Sequence, residues 1–402
     1  MLAKRMHTLS PSLTLEISDL ARKLKEEGKN IISFSAGEPD FDTPQRIKDE
    51  AKLALDRGMT KYTAVGGIPK LLEAISEKLE RENGIVYAPN DIIVSNGAKH
   101  SLFNLFQVLI DEGDEVIIPA PYWVTYPELV TFCGGTPVFI ETNDIAKFKI
   151  TPEQLYSAIT PKTKMLILTS PSNPTGSVYS KEELEELARV LKDTNIFVAS
   201  DEMYEKLIYE TKFTSTASIS RDMYLRTVTI NGLSKSVAMT GWRFGYLASP
   251  NQELISAIRD LQGQSTSNIN SITQYAAIPA LNGEVDREIE SMRRAFEARA
   301  VEAVELFNQI PGVSVIAPQG AFYLFVNIKD ITNDSMRFAK DLLEKVGVAV
   351  VPGIGFGAEG YFRFSFASDI SLIRDGIRRI EKFIRYSGDT FPLDEGSPMV
   401  SF

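Results

Sequence analysis

From about Asp91 to Leu247 short aliphatic runs alternate with stretches of helical periodicity, and few folds accept that alternation. Ile92–Val94, Val116–Ile118, Met165–Leu168, Ile196–Ala199 and Val228–Ile230 are continuous rather than alternating, which is the pattern of strands buried on both faces. Leu184, Leu187 and Leu191 keep helical spacing between two of these runs. Thr151-Pro-Glu-Gln154 and Ser180-Lys-Glu-Glu183 are capping boxes that start helices. The segment is therefore an α/β unit with one wound, mostly parallel sheet and helices on both faces. Such sheets bind ligands beyond the carboxyl ends of their strands. No G-x-G-x-x-G follows the first strand, so a dinucleotide-binding fold has little support.

Composition narrows the function classes. A chain of 402 residues fits two domains, and its net charge of −10 argues against nucleic acid and against an anionic membrane surface. No run is long and apolar enough to span a bilayer, and the basic N-terminus has no apolar segment behind it; a cytoplasmic protein is expected. Cys133 is the only cysteine and is expected to be a small buried side chain. His7 and His100 are the only histidines, which argues against a metal site or a histidine-based triad.

The densest constellation runs from Val228 to Leu247. A β-branched strand leads to a turn expected at Asn231-Gly232, then to Ser234-Lys235-Ser236, then to Arg243 between Gly241 and Gly245. A lysine among small residues behind a buried strand is poorly hydrated and loses its proton readily, so Lys235 is a candidate nucleophile. Ser234 and Arg243 offer a hydroxyl and a fork of donors for a phosphate, while the two glycines let backbone approach. Lysine beside a phosphate cradle suggests pyridoxal phosphate.

Other segments supply candidate partners. Asn96-Gly97-Ala98-Lys99 joins a strand to the first turn of an apolar helix, where backbone N–H groups attract anions. Lys99 there opposes the helix dipole; either an anion lies nearby or an exposed lysine is tolerated. Trp123 and Tyr126 lie on a Pro-bounded loop, as core filling or as a stacking platform. A rigid turn presents Asn173, Asp201 ends an apolar strand with Tyr204 close behind, Gly37 sits in a strand-to-turn connector, and Tyr62 occupies a loop before a helix. Gln264–Asn268 reads as a polar loop, and a long helix from about Val285 to Gln309 leads into a second domain. Its strand Tyr361–Phe366 puts Tyr361, Arg363 and Ser365 opposite three phenylalanines, so Arg363 faces away from the packed side, solvated or clamping a carboxylate. The N-terminal segment, with Ser12, Thr14 and a helix from about Glu16 to Lys25, reads as an arm.

Asn173 in Ser-Pro-Ser-Asn-Pro-Thr-Gly, Asp201 and Tyr204 in Ser-Asp-Glu-Met-Tyr, Lys235 in Ser-Lys and Arg243 in Gly-Trp-Arg-Phe-Gly together resemble the class I aminotransferases of the aspartate aminotransferase fold. The resemblance extends from Gly37-Glu-Pro-Asp to Phe-Arg-Phe-Ser-Phe; Ser172 and Met203 depart from residues usual in these motifs. It implies a fold type I pyridoxal-phosphate-dependent transferase, with an arm and part of the small domain in 1–43, a large domain in 44–284, a small α+β domain in 285–386 and a tail, 387–402, without an assigned role. Lys235 would hold pyridoxal 5'-phosphate as a Schiff base and move the substrate's Cα proton, Asp201 would keep the pyridine nitrogen protonated, and Asn173 and Tyr204 would bond the ring hydroxyl oxygen. Trp123 would stack on the ring; Ser234, Arg243 and the Gly97–Ala98 backbone would take the phosphate, with Tyr62 reaching it from a second subunit. Arg363 would clamp the α-carboxylate with help from Gly37 and Asn173. Lys99, with Ser12 and Thr14, would read a distal carboxylate as in the bacterial branch that includes aspartate/prephenate aminotransferases. The implied partners are amino acid and 2-oxo acid substrates and a second copy of the chain. A prephenate or aromatic acceptor is the nearest alternative and a β-lyase the next.

Overall fold

The computed structural model describes residues 2–10 and 13–386. Twelve strands occur among them: β1 (Ile32–Ser33), β2 (Ile92–Asn96), β3 (Glu115–Ala120), β4 (Thr136–Glu141), β5 (Thr163–Thr169), β6 (Phe197–Asp201), β7 (Thr227–Gly232), β8 (Phe244–Ala248), β9 (Tyr323–Asn327), β10 (Val348–Ala349), β11 (Val351–Pro352) and β12 (Tyr361–Ser365). Seven form one sheet in the order β2-β8-β7-β6-β5-β3-β4. Only β8 runs against its neighbours, pairing antiparallel with both β2 and β7. The mostly parallel α/β sheet expected from the apolar runs is present, and β2, β7 and β8 are almost wholly buried.

The reversal of β8 decides which segments meet. The carboxyl ends of the six parallel strands and the amino end of β8 all emerge on one edge of the sheet. Asn96 of β2 lies opposite Phe244, and Gly232 of β7 lies opposite Gly245. That edge therefore receives the segments that start at Gly97, Pro121, Ser170, Glu202 and Leu233, together with the one that ends at Arg243.

A second, antiparallel sheet runs β11-β12-β9, and β1 pairs in parallel with β10, which fastens the N-terminal segment to residues near 348. Phe296, Phe307, Phe322, Phe362, Phe364 and Phe366 are all within 2% of complete burial and share one apolar cluster with Phe34. Stacking of Phe34 on Phe364 at 4.1 Å ties the connector before Gly37 to the strand that bears Arg363. Both capping boxes form: Thr151 and Ser180 accept from the backbone of Gln154 and Glu183, whose side chains reach back to the N-cap N–H.

Several local expectations are corrected. Asn231-Gly232 does not open the turn, because pairing with β8 holds it in β7, where a Cβ on Gly232 would stand 2.7 Å from the Phe244 carbonyl oxygen. The helix Gln252–Ser265 takes up the start of the supposed loop at 264–268, and the first long helix begins at Leu13 rather than near 16. Cys133 is half-buried; Gln107 Nε2 lies 3.0 Å from its sulfur, and burial pushes the thiol up to about 11. Among the described residues no helix is long and apolar enough to cross a membrane.

Candidate active site

Lys235 follows β7 by three residues and points back over the sheet edge, where its Nζ donates to the Gly37 carbonyl. Desolvation, then the nearby Arg363 charge, lowers its pKa to about 8, against the opposing pull of Glu38. An amine so placed is partly available as a nucleophile near neutral pH and largely so above about pH 8. Asp201, at the end of β6, is buried; Tyr126 donates to its Oδ2 at 2.7 Å and the Met203 N–H to its Oδ1 at 3.2 Å. Burial raises this carboxyl, and the Tyr126 hydroxyl and Lys235 pull it back. A buried carboxylate whose two oxygens are each anchored by one donor keeps further lone pairs with which to hold a cationic N–H.

Arg363 corrects a sequence expectation. Every residue of β12 is buried, and Arg363 is only 3% exposed, because its face packs on Tyr323 and Phe356 instead of meeting water. The solvated reading therefore falls. Its Nη1 donates to Asn173 Oδ1 at 2.9 Å and its Nη2 to the Ser35 carbonyl at 2.8 Å, while Nε has no partner among the described residues. Burial lowers its pKa, and among the described residues no carboxylate faces it within salt-bridge distance. A buried guanidinium without a counter-ion is costly, and an anion that reached it would relieve that cost.

Around Arg243 the backbone approaches closely. A Cβ on Gly97 would stand 2.4 Å from Arg243 Nη2, and one on Gly245 would stand 2.1 Å from the Ala98 nitrogen. Arg243 itself adopts a left-handed φ of 58° and donates to the Thr240 carbonyl at 2.9 Å. The guanidinium thus lies against the first turn of the helix Ala98–Leu109, whose free N–H groups add to its field. Gly241, by contrast, has open space where a Cβ would go, so the close approaches are at Gly97 and Gly245. Ser234 is buried beside Lys235. Lys99 Nζ lies 4.9 Å from the Trp123 ring, and desolvation together with Arg243 lowers its pKa.

The sheet edge thus gathers Lys235, Asp201, Tyr204, Asn173, Arg363, Gly37 and, at the helix start, Gly97, Ala98, Lys99 and Arg243. Tyr62 is 89% exposed within one chain. Ser12 lies outside the described residues, as does the side chain of Thr14. Two buried tyrosines have hydrogen-bonding parts that residue chemistry does not assign. Tyr126 sits three positions after Trp123, and only the geometry shows it bonded to Asp201 and, at 2.8 Å, to Thr169. Tyr323 lies in an all-apolar-looking strand, yet its hydroxyl is 2.9 Å from that of Tyr204.

One sheet edge thus brings together a lysine with a lowered pKa, a buried carboxylate, a helix start beside an arginine and a buried guanidinium with an unpartnered donor. Residues 29–380 match the model of the family described as aminotransferase class I and II, and the chain belongs to that family. It is 49% identical to the aspartate aminotransferase of Bacillus sp. (strain YM-2) over 391 residues, 96% of this chain and 99% of that one. It is 47% identical to the aspartate/prephenate aminotransferase of Nitrosomonas europaea, over 95% of this chain and 99% of that one. The structure of aspartate aminotransferase from Thermus thermophilus with maleate superposes with a TM-score of 0.91 at 42% identity, over 95% of this chain and 99% of that one.

Proposed function

We propose that this aminotransferase uses pyridoxal 5'-phosphate and moves the amino group of L-aspartate to 2-oxoglutarate. The observation that carries the reading is the buried Arg363 with an unpartnered donor, facing the same edge as a lysine whose pKa falls to about 8. The residues fit the cofactor: the tight Gly97, Gly245 and Arg243 contacts suit a phosphate cradle, and Asp201 at the end of β6 is fixed in place by Tyr126 and the Met203 N–H with lone pairs to spare for a cationic N–H. When bound, the cofactor supplies an electron sink for the pair left behind at the substrate Cα.

Each residue then has a task. Lys235 Nζ carries the cofactor and, once released, removes the Cα proton as general base. Asp201 holds the proton on the ring nitrogen; Asn173 and Tyr204 donate to the ring hydroxyl oxygen, and burial raises Tyr204 far enough that it stays a donor. Trp123 flanks the ring. Ser234, Arg243 and the Gly97 and Ala98 N–H groups hold the phosphate, joined by Tyr62 of a second copy in a homodimer. Arg363 pairs with the α-carboxylate while Gly37 and Asn173 bound that end. Lys99, an exposed cation at the helix start beside Trp123, reads the distal carboxylate, helped by Ser12 and Thr14. The division at residues 44 and 285, with a large cofactor-binding and a small domain, belongs to the same reading. Five relatives at 45–47% identity that carry prephenate in their names favour a second acceptor, prephenate, held by the same two cations.

The test is the visible spectrum of the purified protein with pyridoxal phosphate, before and after L-aspartate without any keto acid. Loss of the band from the lysine-bound cofactor and its return on adding 2-oxoglutarate are expected. No band at all would sink the cofactor assignment, and bleaching only by aromatic amino acids would move the substrate assignment to the aromatic reading.

A further inference from the structure

Tyr323 opens β9 and is 1% exposed. Its hydroxyl lies 2.9 Å from the Tyr204 hydroxyl, with the rings edge to face at 5.8 Å. One face of its ring carries the Arg363 guanidinium at 4.4 Å. The same hydroxyl lies 3.0 Å from where a Cβ on Gly37 would sit, and Gly37 is the residue whose carbonyl accepts from Lys235. One side chain therefore touches the carboxylate receptor, the tyrosine beside the cofactor hydroxyl and the loop over the nucleophile.

Its placement is firmly set. The Gln319 and Gly320 N–H groups both donate to the Gly176 carbonyl, Ala321 N–H donates to the Leu207 carbonyl, and Tyr323 pairs with Ser365 across the sheet. Ala321 takes a left-handed φ of 59°, a conformation that persists only where its surroundings enforce it.

We propose that Tyr323 is a positioning residue that sets the proton affinity of the linkage between Lys235 and the cofactor by donating to Tyr204, and that its ring separately holds Arg363 for the α-carboxylate. The inference rests on the proposed use of pyridoxal phosphate. If Tyr204 donates to the ring hydroxyl oxygen, its own oxygen is free to accept, which makes Tyr323 the donor of the pair. Burial raises both tyrosines, so both keep their protons. Two hydroxyls in series polarise each other, and Tyr204 donates more strongly than it would alone. That stabilises the ring oxygen as an anion without help from the linkage proton and so lowers the pKa of the linkage. The charged groups acting on the same nitrogen are Arg363 and Arg243, which lower its proton affinity, and Glu38 and Asp201, which raise it. Tyr323 is a neutral addition to that set.

The experiment is a spectrophotometric pH titration of the cofactor-loaded protein, with KM for aspartate measured beside it. Tyr323→Phe keeps the ring and removes the hydroxyl: the linkage pKa should rise by about half a unit, roughly threefold in proton affinity, with KM changed less than about twofold. Tyr323→Leu should raise both the pKa and KM. In the Tyr204→Phe background, Tyr323→Phe should add no further pKa shift. A Tyr323→Phe titration that coincides with that of the unaltered protein overturns this inference and leaves the cofactor assignment standing, as does a full additional shift in the Tyr204→Phe background. Absence of a titrating band in the unaltered protein overturns both.

Discussion

Lys99 and Lys235 are both lysines with lowered pKa, and their surroundings differ. Lys235 lies against Gly37 near two arginines, while Lys99 is exposed, with Arg243 and an indole nearby. For Lys235 the depressed value means that the rate at which the cofactor-free protein captures pyridoxal phosphate should climb as pH rises through about 8 and then level off. A rate that keeps climbing towards pH 10 would contradict it. Lys235→Ala should remove the visible band and lower turnover by about a thousandfold or more. Lys99→Ala should cost aspartate at least about tenfold more than alanine in kcat/KM, since only aspartate has a second carboxylate to lose its partner; equal losses would refute that role. At this scale much of the site was legible, because lysine between serines, arginine between glycines and aspartate ending an apolar strand each carry their chemistry in local sequence. Tyr126 and Tyr323 were not, since a tyrosine that serves as a hydrogen-bond donor looks the same in sequence as one that fills a core. Arg363 was half legible: its residue type pointed to a carboxylate, but the period of two assumes one wet face, and β12 has none.

Elements were easier to read where local chemistry fixes them. The capping box at Ser180 is an example, and Ser180→Ala should lower stability by about 1 kcal/mol, seen as a lower urea midpoint with unchanged cofactor uptake. The reversed strand β8 was harder, because direction leaves no mark on an apolar run. Yet β8 is what delivers Arg243 to the same edge as Lys235, and its Gly245 admits the backbone of Ala98. Gly245→Ala should therefore push the helix start away from Arg243 and weaken pyridoxal phosphate binding by about tenfold or more in an equilibrium titration. Unchanged binding would show that the cradle adapts. The Asn231-Gly232 error has the same origin as the difficulty with β8: a strong turn signal yields when a neighbouring strand claims its backbone.

For the molecule as a whole, the exposure of Tyr62 and the proposed sharing of the site between two copies lead to a prediction about assembly. Sedimentation should give twice the 44.6 kDa of one chain, and Tyr62→Phe should weaken cofactor binding even though Tyr62 is 89% exposed within its own chain. A monomer with full cofactor affinity would refute the shared site. The second sheet and the N-terminal segment were placed only by tertiary pairing, since strands as short as β1 and β10 carry no period of their own. Their joining sets Arg363 deep behind the sheet edge, and this has a consequence for how the protein behaves in a mixture. A charge kept dry with an unused donor is a standing strain on the folded state, so any small carboxylate that reaches it should raise the melting temperature, with a gain that grows as the logarithm of its concentration. Unreactive dicarboxylates should do this as well as substrates. The folded population of this chain would then track the carboxylate content of its surroundings.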